Sequence, residues 1–97
     1  MDRKTEIIYK KFQFKLKLSY ETIEHAKKLH KNLLEKSPFK YESSYLIVAI
    51  CIFTVSRIEN HPKSLKEIGD VSHIKEEDLK KCFDMVFSEI KNSLKSI

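Results

Sequence analysis

The residues of this chain best suited to chemistry are basic side chains and a hydroxyl in its second half, which could bind phosphate. Lysine, arginine and histidine attract an anion, and serine can donate a hydrogen bond to it. The candidates are Arg57, Lys63, Ser64, Lys66, His73, Lys75, Lys80 and Lys81. Such contacts position a nucleic acid without specifying its sequence. They predict affinity for duplex DNA that is non-specific and falls steeply with salt.

The stretch 64–83 also has the pattern of two helices joined by a turn. Recognition helices of this kind read bases from their N-terminal face, where Arg pairs with guanine and Asn or Gln with adenine. The corresponding face here carries Lys75, three carboxylates at 76–78, and Lys80. Carboxylates repel phosphates, so specific base reading by this helix is not expected. We predict that any sequence is read weakly or elsewhere.

Enzyme motifs are absent from the sequence. Gly69 is the only glycine, which excludes a glycine-rich phosphate loop. His25 and His30 are five residues apart, which does not fit the H-E-x-x-H zinc motif. We predict that they are surface or satisfied core residues of a helix. The chain is therefore not expected to be an enzyme or to carry a cofactor or metal.

The two cysteines indicate a reducing compartment. Cys51 lies in an apolar run and Cys82 on a predicted helix, and they form no C-x-x-C pair. We predict that both are reduced and buried. Thiols in this state are typical of the cytosol or nucleus.

Positive charge is concentrated in the first part of the chain. Residues 1–40 contain 11 Lys and Arg against 5 Asp and Glu, whereas residues 41–97 contain 8 against 9. A basic half favours an anionic partner, either nucleic acid or an acidic protein surface. A lysine-rich solvated surface with no partner is the alternative.

Hydrophobic periodicity predicts two helices in the basic half. The first covers 3–15, although residues 12–18 also alternate like a strand; an extended link follows it. Ser19 is the predicted N-cap of the second helix, which extends to about Glu35. Its predicted buried positions are Ile23, Ala26, Leu29, His30, Leu33 and Leu34.

Three more helices are predicted in the second half. The third helix runs from 41 or 42 to Ile58. Its centre, 45–53, is apolar on all sides but is too short to span a bilayer. An apolar surface on all sides predicts a helix that the other helices enclose. Ser64 and Glu67 form a capping box for a helix to Asp70, followed by a turn at 69–72. The last helix covers about 75–94, and its predicted apolar stripe is Leu79, Cys82 or Phe83, Val86, Ile90 and Leu94. The prediction is an all-α, five-helix bundle forming a single domain over 1–97, with its core at about 5–94.

The chain resembles a cyclin-like repeat of the transcription factor IIB family, most closely the second repeat. The resemblance covers about residues 5–94. It is carried by Leu16-Lys17-Leu18-Ser19, Ala26, Ala49 to Phe53, Ser56-Arg57, Ser64 to Gly69, Ile74, and Leu79 to Phe83. The sequence departs from the family pattern at 41–44, where the family usually has Gly-Arg-x-Pro, at Phe53 in place of Tyr, and at Lys75 in place of a good N-cap.

This resemblance implies a five-helix cyclin fold and a nuclear role in assembling the transcription preinitiation complex. The implied partners are the TATA-box-binding protein, promoter DNA and the RNA polymerase II machinery. It further implies that the chain is a monomeric part of a longer protein. The alternative is a cyclin-box regulatory subunit that binds a protein kinase and has no DNA role.

Overall fold

The computed structural model describes residues 2–35 and 43–84. These residues form five helices. They are α1 (Arg3–Leu16), α2 (Tyr20–Leu34), α3 (Ser44–Ile58), α4 (Leu65–Ser72) and α5, whose described part is 76–84. Within these ranges the chain contains only helices, turns and short links, which confirms the predicted all-α, five-helix class.

Serine N-caps start three of the helices. Ser19 Oγ accepts a hydrogen bond from the amide of Thr22 at 3.1 Å, as predicted. The capping box of Ser64 and Glu67 is also confirmed. The predicted start of α3 at 41 or 42 is wrong, because Ser43 has an extended backbone and caps a helix that begins at Ser44. Residues 41 and 42 themselves lie outside the described residues.

Helix α3 is the centre of the bundle. All its residues from Ile47 to Ser56 are buried, and it packs against α1, α2 and α4. The sequence predicted this enclosure, because a helix without a polar face must be buried on every side. No helix in the described part of the chain is long and apolar enough to cross a membrane.

The strand-like alternation at 12–18 belongs largely to α1. Phe12 is fully buried, whereas Phe14 is exposed, because residues two apart lie on different sides of a helix. The helix ends at Leu16, and its C-cap residue Lys17 adopts a left-handed conformation (φ 53°). On α2, five of the six predicted buried positions are buried, but Leu34 lies in the last turn with 40% of its surface exposed.

The junction of α4 and α5 differs from the prediction. Gly69 lies inside α4, so the predicted turn at 69–72 is wrong; the turn begins at His73 (φ 61°). A Cβ atom on Gly69 would lie 2.8 Å from the carbonyl oxygen of Ile74, closer than such atoms pack. Glycine is therefore needed here for the close approach of two backbones rather than for a turn.

Helix α5 packs its predicted apolar face against the bundle. Leu79 and Cys82 are buried, and Cys51 is buried in α3, as predicted. Phe83 is half-buried and meets Phe53 of α3 edge-to-face, with ring centroids 5.2 Å apart. The other predicted positions of this stripe, Val86, Ile90 and Leu94, lie outside the described residues.

Candidate nucleic-acid interface

The structure places the predicted phosphate-binding residues on the surface, in separate groups. Lys63 is half-buried and the other seven are exposed. Three surface hollows contain four of them: Lys63 lies in the first, His73 in the second, and Arg57 with Lys80 in the third. The remaining four residues are exposed outside these hollows. The eight predicted residues therefore do not form a continuous interface by themselves.

The first hollow, which we call the basic hollow, brings Lys17 and His61 beside Lys63. Lys17 follows α1, whereas the other two come from the loop between α3 and α4. That loop is anchored by buried Ser56, whose carbonyl accepts from the amide of His61 (3.0 Å) and whose Oγ accepts from the amide of Lys63 (3.2 Å). The backbones of both loop residues are thus fixed. Three basic residues line the hollow, and the carboxylate of Glu59 is hydrogen-bonded to Thr22 of the same lining.

The first turn of α2 lines the basic hollow and binds a carboxylate beside it. Ser19 and Thr22 line the hollow, and the amide of Thr22 is already capped by Ser19 Oγ. The Thr22 hydroxyl donates to Glu59 at 2.5 Å, and His25 Nδ1 pairs with the same carboxylate. Partial burial opposes ionisation of Glu59, but these hydrogen bonds outweigh it and lower its pKa. The network ties α2 to the end of α3.

The second hollow places His73 near Lys11 and Lys15 of α1. Glu67 and Asp70 line the same hollow, so its positive charge is offset. Lys11 is also engaged elsewhere: its Nζ lies 3.4 Å from the hydroxyl of Tyr45 and 5.4 Å from the centre of that ring. This hollow is a weaker phosphate site than the basic hollow.

The third hollow contains Arg57 and Lys80 together with Asp84. The guanidinium of Arg57 lies 5.2 Å from the ring centre of Phe53. Arg57 also stands in the last turn of α3, where a positive charge favours the helix dipole. A structural role is therefore available to Arg57 beside any contact with phosphate.

The other four predicted residues lie on α4 and α5 or directly before them. Ser64 Oγ accepts from the amide of Glu67 at 3.1 Å, and the Ser64 amide donates to the Glu67 carboxylate at 3.0 Å, so the polar groups of Ser64 serve the capping box. Lys66 is exposed on α4, Lys75 directly precedes α5, and Lys81 is exposed on α5. The carboxylates at 76–78 are exposed in the first turn of α5, as expected of solvated charges.

The two α2 histidines have the structural roles that the sequence predicted. His25 is exposed and pairs with Glu59, whereas His30 is 97% buried, with Nδ1 2.9 Å from the hydroxyl of Tyr9. That hydroxyl also lies 3.3 Å from the carbonyl oxygen of Ala26. Burial lowers the pKa of His30 to about 4, so the imidazole is neutral at pH 7. Among the described residues, no cluster of His, Cys, Asp and Glu could hold a metal ion.

Comparison with known proteins decides the family. The model of the transcription factor TFIIB repeat matches residues 3–89. The chain belongs to the TFIIB-repeat family. Its five helices are accordingly those of a cyclin-like fold, with α3 as the central helix.

Curated relatives of this TFIIB repeat are transcription initiation factors. The chain is 25% identical to transcription initiation factor IIB of Xenopus laevis and 24% identical to that of Homo sapiens, over 82% of this chain and 25% of each relative. It is 30% identical to transcription initiation factor IIB of Encephalitozoon cuniculi, over 71% of this chain and 22% of the relative. The chain spans about a quarter of the length of these relatives. No solved structure matches it.

Sequence reasoning missed the basic residues that complete the hollows of this TFIIB repeat. Lys17 and His61 join Lys63, and Lys11 and Lys15 join His73. The excess of lysine in residues 1–40 was a signal for the α1 residues. Their partners could not be found from spacing, because the chain folds positions about 45 to 60 residues apart onto one surface.

Proposed function

We propose that this chain is the cyclin-like core domain of a TFIIB-type transcription initiation factor. It binds the TATA-box-binding protein and promoter DNA in the nucleus and works there with the RNA polymerase II machinery. The observation that carries this proposal is the TFIIB-repeat match over residues 3–89, which includes all the described helices. The names of the curated relatives support the same role.

The basic hollow is the proposed centre of the DNA contact. Lys17, His61 and Lys63 line one hollow, so a phosphate placed there meets basic side chains from two separate segments of the chain. Lys66 and Ser64 at the start of α4 extend the contact along a DNA backbone. The other predicted residues, Arg57, His73, Lys75, Lys80 and Lys81, contribute through exposed charges near the α4–α5 unit.

Sequence reading by α5 is a minor part of this function. The first turn of α5 exposes carboxylates at 76–78, which oppose close approach to phosphates. A carboxylate can accept a hydrogen bond from cytosine but cannot replace Arg at guanine. We therefore propose that this domain positions promoter DNA through its backbone while the TATA-box-binding protein supplies most of the sequence preference.

Recruitment by the TATA-box-binding protein tests the proposal. That protein is immobilised with a TATA duplex, without DNA, and with a duplex lacking the TATA element, and retention of the chain is measured. We expect strongest retention on the TATA complex. The measurement is repeated with the chain joined to the first repeat of a TFIIB protein, since paired repeats act together. Absence of recruitment in every combination contradicts the proposed function.

A further inference from the structure

Helix α1 carries two large apolar side chains on its outer face. Ile7 is 60% exposed and Phe14 is 81% exposed, and Phe14 is the most exposed large hydrophobic residue in the described part of the chain. Seven residues separate them, which is two helical turns, so both point the same way about 10 Å apart. The opposite side of α1 is fixed in the core by Ile8, Tyr9 and Phe12.

Basic residues surround this apolar pair. The segment 3–17 contains six Lys and Arg against one acidic residue, and that residue, Glu6, pairs with Lys27 of α2 at 2.8 Å. The exposed basic side chains of this segment are Arg3, Lys4, Lys10, Lys15 and Lys17. The outer face of α1 is thus an apolar pair in a positive field, held rigid by the packing of the helix behind it.

We propose that the outer face of α1, defined by Ile7 and Phe14, docks an acidic amphipathic helix of a partner protein. Side chains at i, i+3, i+4 and i+7 of such a helix would cover the apolar pair, since its turns match those of α1. Its carboxylates would meet the surrounding lysines, which favours fast association and excludes basic partners. This inference does not rest on the proposed function, because it requires no contact with DNA.

Two other occupants fit the face less well. A DNA backbone would use the lysines but would leave Ile7 and Phe14 without an apolar contact. A membrane surface requires a helix with one large apolar face turned to lipid, whereas the main apolar face of α1 is already buried in the core. Only an acidic partner with apolar side chains uses both features of the outer face.

Fluorescence anisotropy with the full 97-residue chain tests the proposal. The probe is a fluorescein-labelled peptide designed as an amphipathic helix, with Leu and Phe on one side and Glu elsewhere. A peptide of the same composition, with its apolar residues spread around the helix, is the control. We expect the amphipathic probe to bind at least about tenfold more tightly than the control peptide, because only it can cover the apolar pair.

Variants separate the apolar contribution from the charge. Ile7→Ser combined with Phe14→Ser should weaken binding of the amphipathic probe about tenfold, whereas Tyr20→Ser, which removes an aromatic side chain 71% exposed on α2, should not. Lys10→Glu should weaken binding, whereas Lys31→Glu on α2 should weaken it much less. Thermal unfolding of each variant checks that the fold is retained, as expected for substitutions of exposed residues.

Four results would overturn the proposal. The double variant could bind the probe as tightly as the natural chain, or both peptides could bind equally, which would leave charge as the only determinant. Anionic phosphatidylserine vesicles could bind in a Phe14-dependent manner where the probe does not. Duplex DNA could lose affinity for the double variant to the same degree as the probe, which would assign the face to DNA.

Discussion

The α4–α5 unit and the α1–α2 half of this domain differ in packing and in charge. The α4–α5 unit carries much of the family pattern, with its capping box, buried Leu79 and the close approach at Gly69. The α1–α2 half carries the excess of basic over acidic residues and the exposed apolar pair. The α4–α5 unit is therefore mainly a packing unit. Several of the basic residues proposed to meet anions, such as Lys17, lie on or beside helices outside the helix-turn-helix pattern.

The largest expected effect lies in the α1–α2 half, where His30 couples stability to pH. Burial beside Tyr9 lowers the pKa of His30 to about 4 in the folded chain, whereas an unfolded histidine titrates near pH 6.5. The unfolded state therefore binds more protons, and stability falls as the pH drops from about 6.5 to about 4. We expect a loss of about 2–3 kcal/mol over this range.

Urea unfolding at a series of pH values measures this loss. His30→Gln removes the titrating group but retains a polar side chain beside Tyr9, so its stability should depend less on pH between 6.5 and 4 than that of the natural chain. If the two proteins lose stability in parallel over this range, His30 is not the group that couples folding to protons.

Gly69→Ala tests whether the α4–α5 unit is held by packing. Alanine normally favours a helix by about 1 kcal/mol over glycine. Here its Cβ atom would lie 2.8 Å from the carbonyl oxygen of Ile74, a backbone atom that cannot move aside alone. We expect Gly69→Ala to lower the free energy of unfolding by about 2 kcal/mol. Asp70→Ala, exposed on the same helix, is the control and should change stability by less than about 0.5 kcal/mol.

Gly69 also shows what the sequence could and could not predict. The capping box at Ser64 and the N-cap at Ser19 are local patterns of three or four residues, so they placed helix starts correctly. Glycine commonly ends helices, so the sequence predicts a turn at Gly69. The contact that requires glycine is made by the backbone of Ile74, after the chain turns at His73. This tertiary contact has no local signal in the sequence.

The candidate site illustrates the same limit. Lys63 is a candidate because it precedes a predicted helix, but its neighbours at the basic hollow, Lys17 and His61, depend on how α1 and the α3–α4 loop meet. Sequence spacing does not connect Arg57 with Lys80, whereas the structure places both at one hollow that Asp84 also lines. Periodicity gave the helices and the enclosed α3, whereas the grouping of charges required the packed bundle.

Lys17→Gln combined with Lys63→Gln tests the electrostatic side of the comparison. We expect the affinity for duplex DNA to fall about tenfold or more at 0.1 M salt, because two phosphate contacts are lost. The slope of log affinity against log salt should also decrease in magnitude by about 2. Stability should be nearly unchanged, since neither side chain belongs to the core.

Lys28→Gln combined with Lys31→Gln is the matched control for this measurement. Both lysines are exposed on α2, outside the basic hollow, and the substitution removes the same net charge. Equal losses of DNA affinity for the two double variants would show that only the overall charge of the domain matters, and the basic hollow would lose its special role.

The smallest expected effect separates stability from binding within the α4–α5 unit itself. His73 has a left-handed backbone (φ 61°), which glycine adopts without steric cost. His73→Gly should therefore raise the free energy of unfolding by up to about 1 kcal/mol. The same change removes a polar side chain beside Lys11 and Lys15, so the affinity for DNA should fall by about twofold or less if the second hollow touches phosphate.

His73→Asn is the control for this prediction. Asparagine tolerates the left-handed conformation but lacks the imidazole, so this variant should lower DNA affinity equally with a smaller gain in stability. A turn selected only for packing would favour glycine, so a gain in stability combined with weaker DNA binding would indicate that the histidine is retained for contact with an anion.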